Sequence, residues 1–202
     1  MKTNSEYKET ALAALRGNWG PAVLLGLVII LITSVSAASG LFSTAVSVCV
    51  VMPLTVGVSA VFRELLHDNV EKMMERAFKI GFGNWSHNTC GMLLMGVYVF
   101  LWTLLLIVPG VIKALSYAMT PFILNDKPEL SANEAIELSM EMMEGRKMDL
   151  FLLYLGFLGW ALLCILTLCI GFLWLEPYVY AATAAFYEDV KADYESRNVV
   201  VA

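Results

Sequence analysis

Four long stretches of this chain carry no charged side chain. No Asp, Glu, Lys or Arg occurs from Gly17 to Phe62, from Ile80 to Ile112, from Ala114 to Asn125 or from Leu150 to Leu175. A helix that crosses a bilayer needs about 20 mostly apolar residues. The first block is long enough for two such helices, and the second and fourth hold one each. A soluble fold of 202 residues could not hide all of these runs in one core. The chain is 59% hydrophobic and 15% charged, against roughly 45–50% and 25% in soluble domains. These blocks imply an all-α, polytopic transmembrane helical bundle.

Prolines punctuate the apolar runs. The run Leu104-Leu105-Leu106-Ile107-Val108 drives into Pro109-Gly110 and resumes as far as Leu124. Proline lacks a backbone donor and clashes with the preceding helical turn, and glycine adopts conformations that other residues avoid. A helix break is expected at Pro109 and Gly110, with related breaks at Pro53 and Pro177. Each proline precedes small residues four apart, Thr55/Ser59, Ala114/Ala118 and Ala181/Ala185. Small faces of this kind let helices approach closely in lipid, and the shared pattern suggests a weak internal repeat.

The polar segments divide the rest into one membrane domain, 1–202. Residues 1–20 form an amphipathic N-terminal segment in which Tyr7, Ala11 and Leu15 share a helical face suited to lying on a membrane surface. A cleavage site after the first apolar run is conceivable at Ser36-Ala37-Ala38, but the charged head is long and carries Glu6 and Glu9, so an uncleaved first span is expected. Residues 21–62 make hairpin one, turning at 36–40. Residues 63–90 form a cytosolic connection containing a surface helix with Met73, Met74, Ala77 and Phe78 on one face. Residues 91–125 make hairpin two. In 126–149, Ser131 followed by Glu134 has the capping-box pattern and opens an amphipathic helix to about Glu144. Its stripe of Glu134, Glu137, Glu141 and Glu144 reads as a solvated face. Residues 150–187 make hairpin three, and 188–202 are a soluble tail.

Charge sets the orientation. Three hairpins put all thirteen Lys/Arg except Lys113 on the cytosolic side, in keeping with the positive-inside bias. Both termini then face the cytosol. Lys113 and Glu176 would lie at the outer turns, where they form a candidate ion pair tying hairpins two and three together.

No reactive constellation is present. The net charge of −5 and the lack of a basic stripe argue against nucleic acid. Cys49, Cys90, Cys164 and Cys169 form no C-x-x-C pair and read as small buried side chains. His67 and His87 lie in a polar stretch without a metal or nucleophile motif. No catalytic residue, metal site or cofactor is expected.

Several residues carry a family resemblance: Leu101-Trp102, Pro109-Gly110-Val111-Ile112-Lys113, Ser116-Tyr117-Ala118-Met119, Asp126, Ala135 with Ser139, Met143-Glu144-Gly145, Phe157-Leu158-Gly159-Trp160, Pro177-Tyr178 and Phe186-Tyr187. With them the chain resembles the "domain of unknown function 975" family of bacterial integral membrane proteins. It is more distantly similar to the membrane portion of certain glycerophosphodiester phosphodiesterases, without their catalytic domain. The resemblance implies architecture and a place in the bacterial cytoplasmic membrane, but no activity. The expected partners are the lipid bilayer and other membrane proteins. Two functions follow: a non-enzymatic membrane scaffold or accessory module, and a small permease or channel for a lipid-like or peptide solute. A polar cavity inside the bundle would favour the second.

Overall fold

The computed structural model describes residues 3–36, 41–67, 72–167 and 169–199, and among them the fold is entirely helical. The expected turn at 36–40 lies largely outside the described residues, as does part of the 63–90 connection. Among the described residues four runs are long and apolar enough to cross a membrane: the single helices Trp85–Leu105 and Lys147–Leu166 and the composite runs Ser43–Leu65 and Ile107–Asp126.

Helix α1 (Asn4–Leu15) starts on a capping box, Thr3 with Glu6. Tyr7, Ala11 and Leu15 do share a face, and all three are buried. Their partner is protein rather than a membrane surface: the Tyr7 ring meets Phe186 of the last helix edge-on at 5.3 Å. Leu12 and Trp19 line a groove with Trp160, Thr167 and Trp174, so α1 descends lengthwise along the last two helices. The chain then bends by 102° into α2 (Trp19–Ser36).

Pro53 does not break its helix. Helix α3 (Leu41–Val46) passes through a π-helical turn, Ser47–Val51, into α4 (Met52–Leu65), with Pro53 in the first turn of α4. There the missing donor is tolerated. Pro53 cannot donate to the Cys49 carbonyl four residues back, and the Trp85 indole N–H donates to it instead at 2.8 Å. Helix α5 (Met73–Gly83) packs on α4 rather than lying on a membrane. Its buried residues are Met73, Ala77 and Gly81, and Met74 is exposed. Gly57 and Gly81 make this crossing a backbone-to-backbone contact. A Cβ on Gly57 would stand 2.0 Å from the Ala77 carbonyl oxygen, and one on Gly81 would stand 2.7 Å from the Pro53 carbonyl oxygen.

Helix α6 (Trp85–Leu105) ends at Leu106, whose φ of −162° and ψ of 143° are extended, and α7 (Ile107–Tyr117) follows at once. The break therefore falls three residues before Pro109. Pro109 and Gly110 occupy the first turn of α7, where a proline costs no hydrogen bond. Gly110 is needed for the tight turn, since a Cβ there would lie 2.8 Å from Thr103 Cα. Moving the break lengthens the return arm. With α8 (Thr120–Asp126) it becomes a 20-residue apolar run, about 30 Å long.

Helix α9 (Ala132–Met142) starts on the expected capping box of Ser131 and Glu134. Hydrogen bonds from Ser131 hold the Glu134 carboxyl below the usual range. Ser139 locks α9 to the α7–α8 junction: its hydroxyl donates to the Ser116 carbonyl at 2.8 Å and accepts from the Met119 N–H at 3.3 Å.

Helix α10 (Lys147–Leu166) leads through a turn, with Cys169 at φ 67°, into α11 (Phe172–Val199). Pro177 lies inside α11 without ending it, so the third expected break is also displaced, to the 167–171 turn. Pro53 and Pro109 thus each sit in the first turn of a helix, whereas Pro177 sits inside one.

Candidate functional site

Charged residues gather at one end of the bundle. Arg63, near the end of α4, pairs with Asp126 at 2.5 Å and with Glu188. Lys191 also reaches Asp126, at 2.5 Å, and the Tyr187 hydroxyl donates to it at 3.1 Å. Beside this cluster Arg146, only 2% exposed, donates to Asp189 at 2.7 Å. Tyr7 donates to the same carboxylate at 2.6 Å. The outcome joins α1, α4, α8, α10 and α11. Opposite charges taken partly out of water have to pair, because unpaired burial is costly. This is a structural tie, and it involves residues that sequence reading had left in separate loops.

Lys113 and Glu176 do not form the expected pair. Lys113 lies 3.7 Å from Met140 Sδ and over the Trp102 ring at 5.1 Å. The next residue of α9, Glu141, accepts from Tyr194 in the charged part of α11. Residues of α7 from Ile107 to Leu115 face Lys147, Met148 and Phe151 of α10. Glu176 lies about 18 Å along α11 from Glu188, in the lining of a groove that does not include Lys113.

Glu176 instead faces a groove of about 770 Å3 between α4, α8, α10 and α11. Small-molecule sites range over roughly 300–1,000 Å3. The walls are mostly apolar, with Phe122, Phe157, Leu158 and Val179 among them, and the polar groups are Thr55, Ser59, Tyr154, Glu176, Tyr180 and Thr183. The hydroxyls of Thr55, Ser59 and Thr183 each donate to the carbonyl four residues back in their own helix, at 2.9, 2.9 and 2.8 Å. Their protons are committed, so they offer only acceptor lone pairs to the groove. Thr183 Oγ1 also lies 3.5 Å from Tyr154 Oη. Among the described residues no Lys, Arg or His lines the groove.

Sequence reading had singled out Glu176 for the wrong partner, and Thr55 and Ser59 as a helix-packing face. Tyr154, Tyr180 and Thr183 were missed because nothing in their spacing differs from ordinary helix residues. The cysteine reading was partly wrong: Cys164 is buried, but Cys49, Cys90 and Cys169 are exposed. Among the described residues no cluster of His, Cys, Asp or Glu could hold a metal ion.

Charged end, lateral groove and helical runs define, among the described residues, an all-α bundle with four runs long and apolar enough to cross a membrane. Residues 103–194, a little under half of the chain, match the family model described as "Protein of unknown function (DUF975)". The match runs from the last residues of α6 into α11 and contains most of the groove, including Glu176. No curated protein and no solved structure matches the chain.

Proposed function

We propose that this chain is a non-enzymatic, multi-pass protein of the bacterial cytoplasmic membrane that holds a lipid-like solute in the groove beside Glu176, as a small permease or carrier would. The groove itself carries this reading. It is large, mostly apolar and open to one side, so an acyl chain can enter from the bilayer without crossing water. The test uses the full chain in phosphatidylcholine nanodiscs with radiolabelled dodecanol. Saturable binding above that of empty discs is expected, and Ala161→Trp, which projects an indole into the groove, should weaken it at least about tenfold, the loss of about 1.4 kcal/mol. Equal uptake by loaded and empty discs would overturn the reading.

A second reading, a scaffold or accessory module for other membrane proteins, draws on the α6–α7 turn. Leu104, Leu105, Leu106 and Ile107 there are 75%, 70%, 64% and 74% exposed, an apolar ridge that another membrane helix could cover.

In either case the charged end is proposed to face the cytosol. Arg63, Arg76, Arg146, Lys147 and Lys191 lie in or next to its ion pairs, and Lys/Arg bias normally sets orientation. Glu137 is on the exposed side of α9. In a variant lacking the four native cysteines, a cysteine replacing Glu137 should resist an impermeant thiol reagent in intact cells and react after lysis. Labelling in intact cells would reverse the orientation.

A further inference from the structure

We infer that the groove selects amphiphiles carrying a protonated amine, with Glu176 as the group that recognises the head. The inference rests on the groove reading above and adds the chemistry of its occupant. The Glu176 carboxylate makes no hydrogen bond or ion pair with any described residue, although its groove lies between four helices. A carboxylate in apolar surroundings is costly unless it is paired. Among the described residues nothing in the lining supplies a cation, so a ligand that carries one brings the counter-charge the carboxylate lacks.

The aliphatic hydroxyls fit the same head. Thr55, Ser59 and Thr183 have spent their protons on their own helices, and an ammonium brings three donors and no acceptor. A carboxylate or phosphate head would meet those acceptors and a like charge, with only the Tyr154 and Tyr180 hydroxyls able to donate. The aromatic side chains of Phe122, Phe157 and Tyr180 border the groove and suit the alkyl chain.

The experiment compares radiolabelled dodecylamine with dodecanol at neutral pH on the full chain in phosphatidylcholine nanodiscs, with empty discs subtracted. Dodecylamine is expected to bind at least about tenfold tighter, the lower end for a hydrogen bond to a charged group. Glu176→Gln should bring the amine down to the alcohol's affinity. Equal affinities on the unaltered chain would overturn the inference while leaving the groove reading in place, and this comparison needs no variant to fold. An amine preference that persists in Glu176→Gln would also overturn it. If neither probe binds above empty discs, the groove reading itself fails, and the inference with it.

Discussion

Gly57→Ala is expected to lower the stability of the fold by about 3 kcal/mol, at the upper end of what overpacking costs. The added methyl carbon would sit 2.0 Å from the Ala77 carbonyl oxygen, 2.9 Å from its carbonyl carbon and 2.8 Å from the Gly81 nitrogen. All three are backbone atoms, so no side chain can swing aside. Helices α4 and α5 would have to separate by more than 1 Å or so, which gives up the close contact along this crossing. The gain in helix propensity from glycine to alanine, about 1 kcal/mol, offsets only part of this. At roughly 2–4 °C per kcal/mol for a chain of this size, the thermal midpoint in detergent should fall by about 6–12 °C. Gly96→Ala is the control. It lies inside α6 with nothing within 4 Å of its added carbon, so it should leave the midpoint unchanged or raise it slightly. A Gly57→Ala midpoint equal to that of Gly96→Ala would show that α4 and α5 do not meet at Gly57.

Arg146→Met should cost about 3 kcal/mol, the lower end for removing one partner of a buried ion pair. The Arg146 guanidinium is almost completely enclosed, and its partner Asp189 is 18% exposed. The same cation lies over the Phe186 ring at 5.9 Å and near Asp149 at 3.7 Å. Methionine keeps most of the apolar stem and removes the charge, so Asp189 loses its buried cation. Tyr7 still donates to Asp189, which is why the lower end applies. Adding Asp189→Asn to Arg146→Met should recover part of the loss, because the uncompensated charge is then gone as well. Strictly additive midpoint shifts in the double variant would show that the two side chains are not coupled.

The charge-free blocks made the all-helical class legible, because a backbone in lipid has to satisfy its own hydrogen bonds within helices. The capping box at Ser131 and Glu134 was legible for a local reason: both hydrogen bonds close within three residues. Tyr7, Ala11 and Leu15 were correctly placed on one buried face by the helical period. The period names a face and says nothing of what covers it, so α11 was mistaken for a membrane surface. The proline breaks failed in the same way. A proline forbids one hydrogen bond, but it does not dictate where the chain relieves that loss. At Pro53 a π-helical turn and the distant Trp85 indole absorb it, and at Pro109 the chain turns three residues earlier, so that the proline falls where no donor is needed.

By itself, then, the sequence determined helix type, approximate lengths and the placing of charge outside the apolar runs, all of which are set by neighbours along the chain. Only the tertiary structure decided that Arg63 meets Asp126 and Glu188, that Arg146 meets Asp189, and that Lys113 and Glu176 have different neighbours. It also decided that Glu176 faces a groove with Tyr154 and Thr183. Those contacts join residues tens of positions apart or more. They depend on which helix faces meet and at what depth, and in lipid that choice is made by the fit of surfaces such as Gly57 against Ala77, for which no local spacing rule exists.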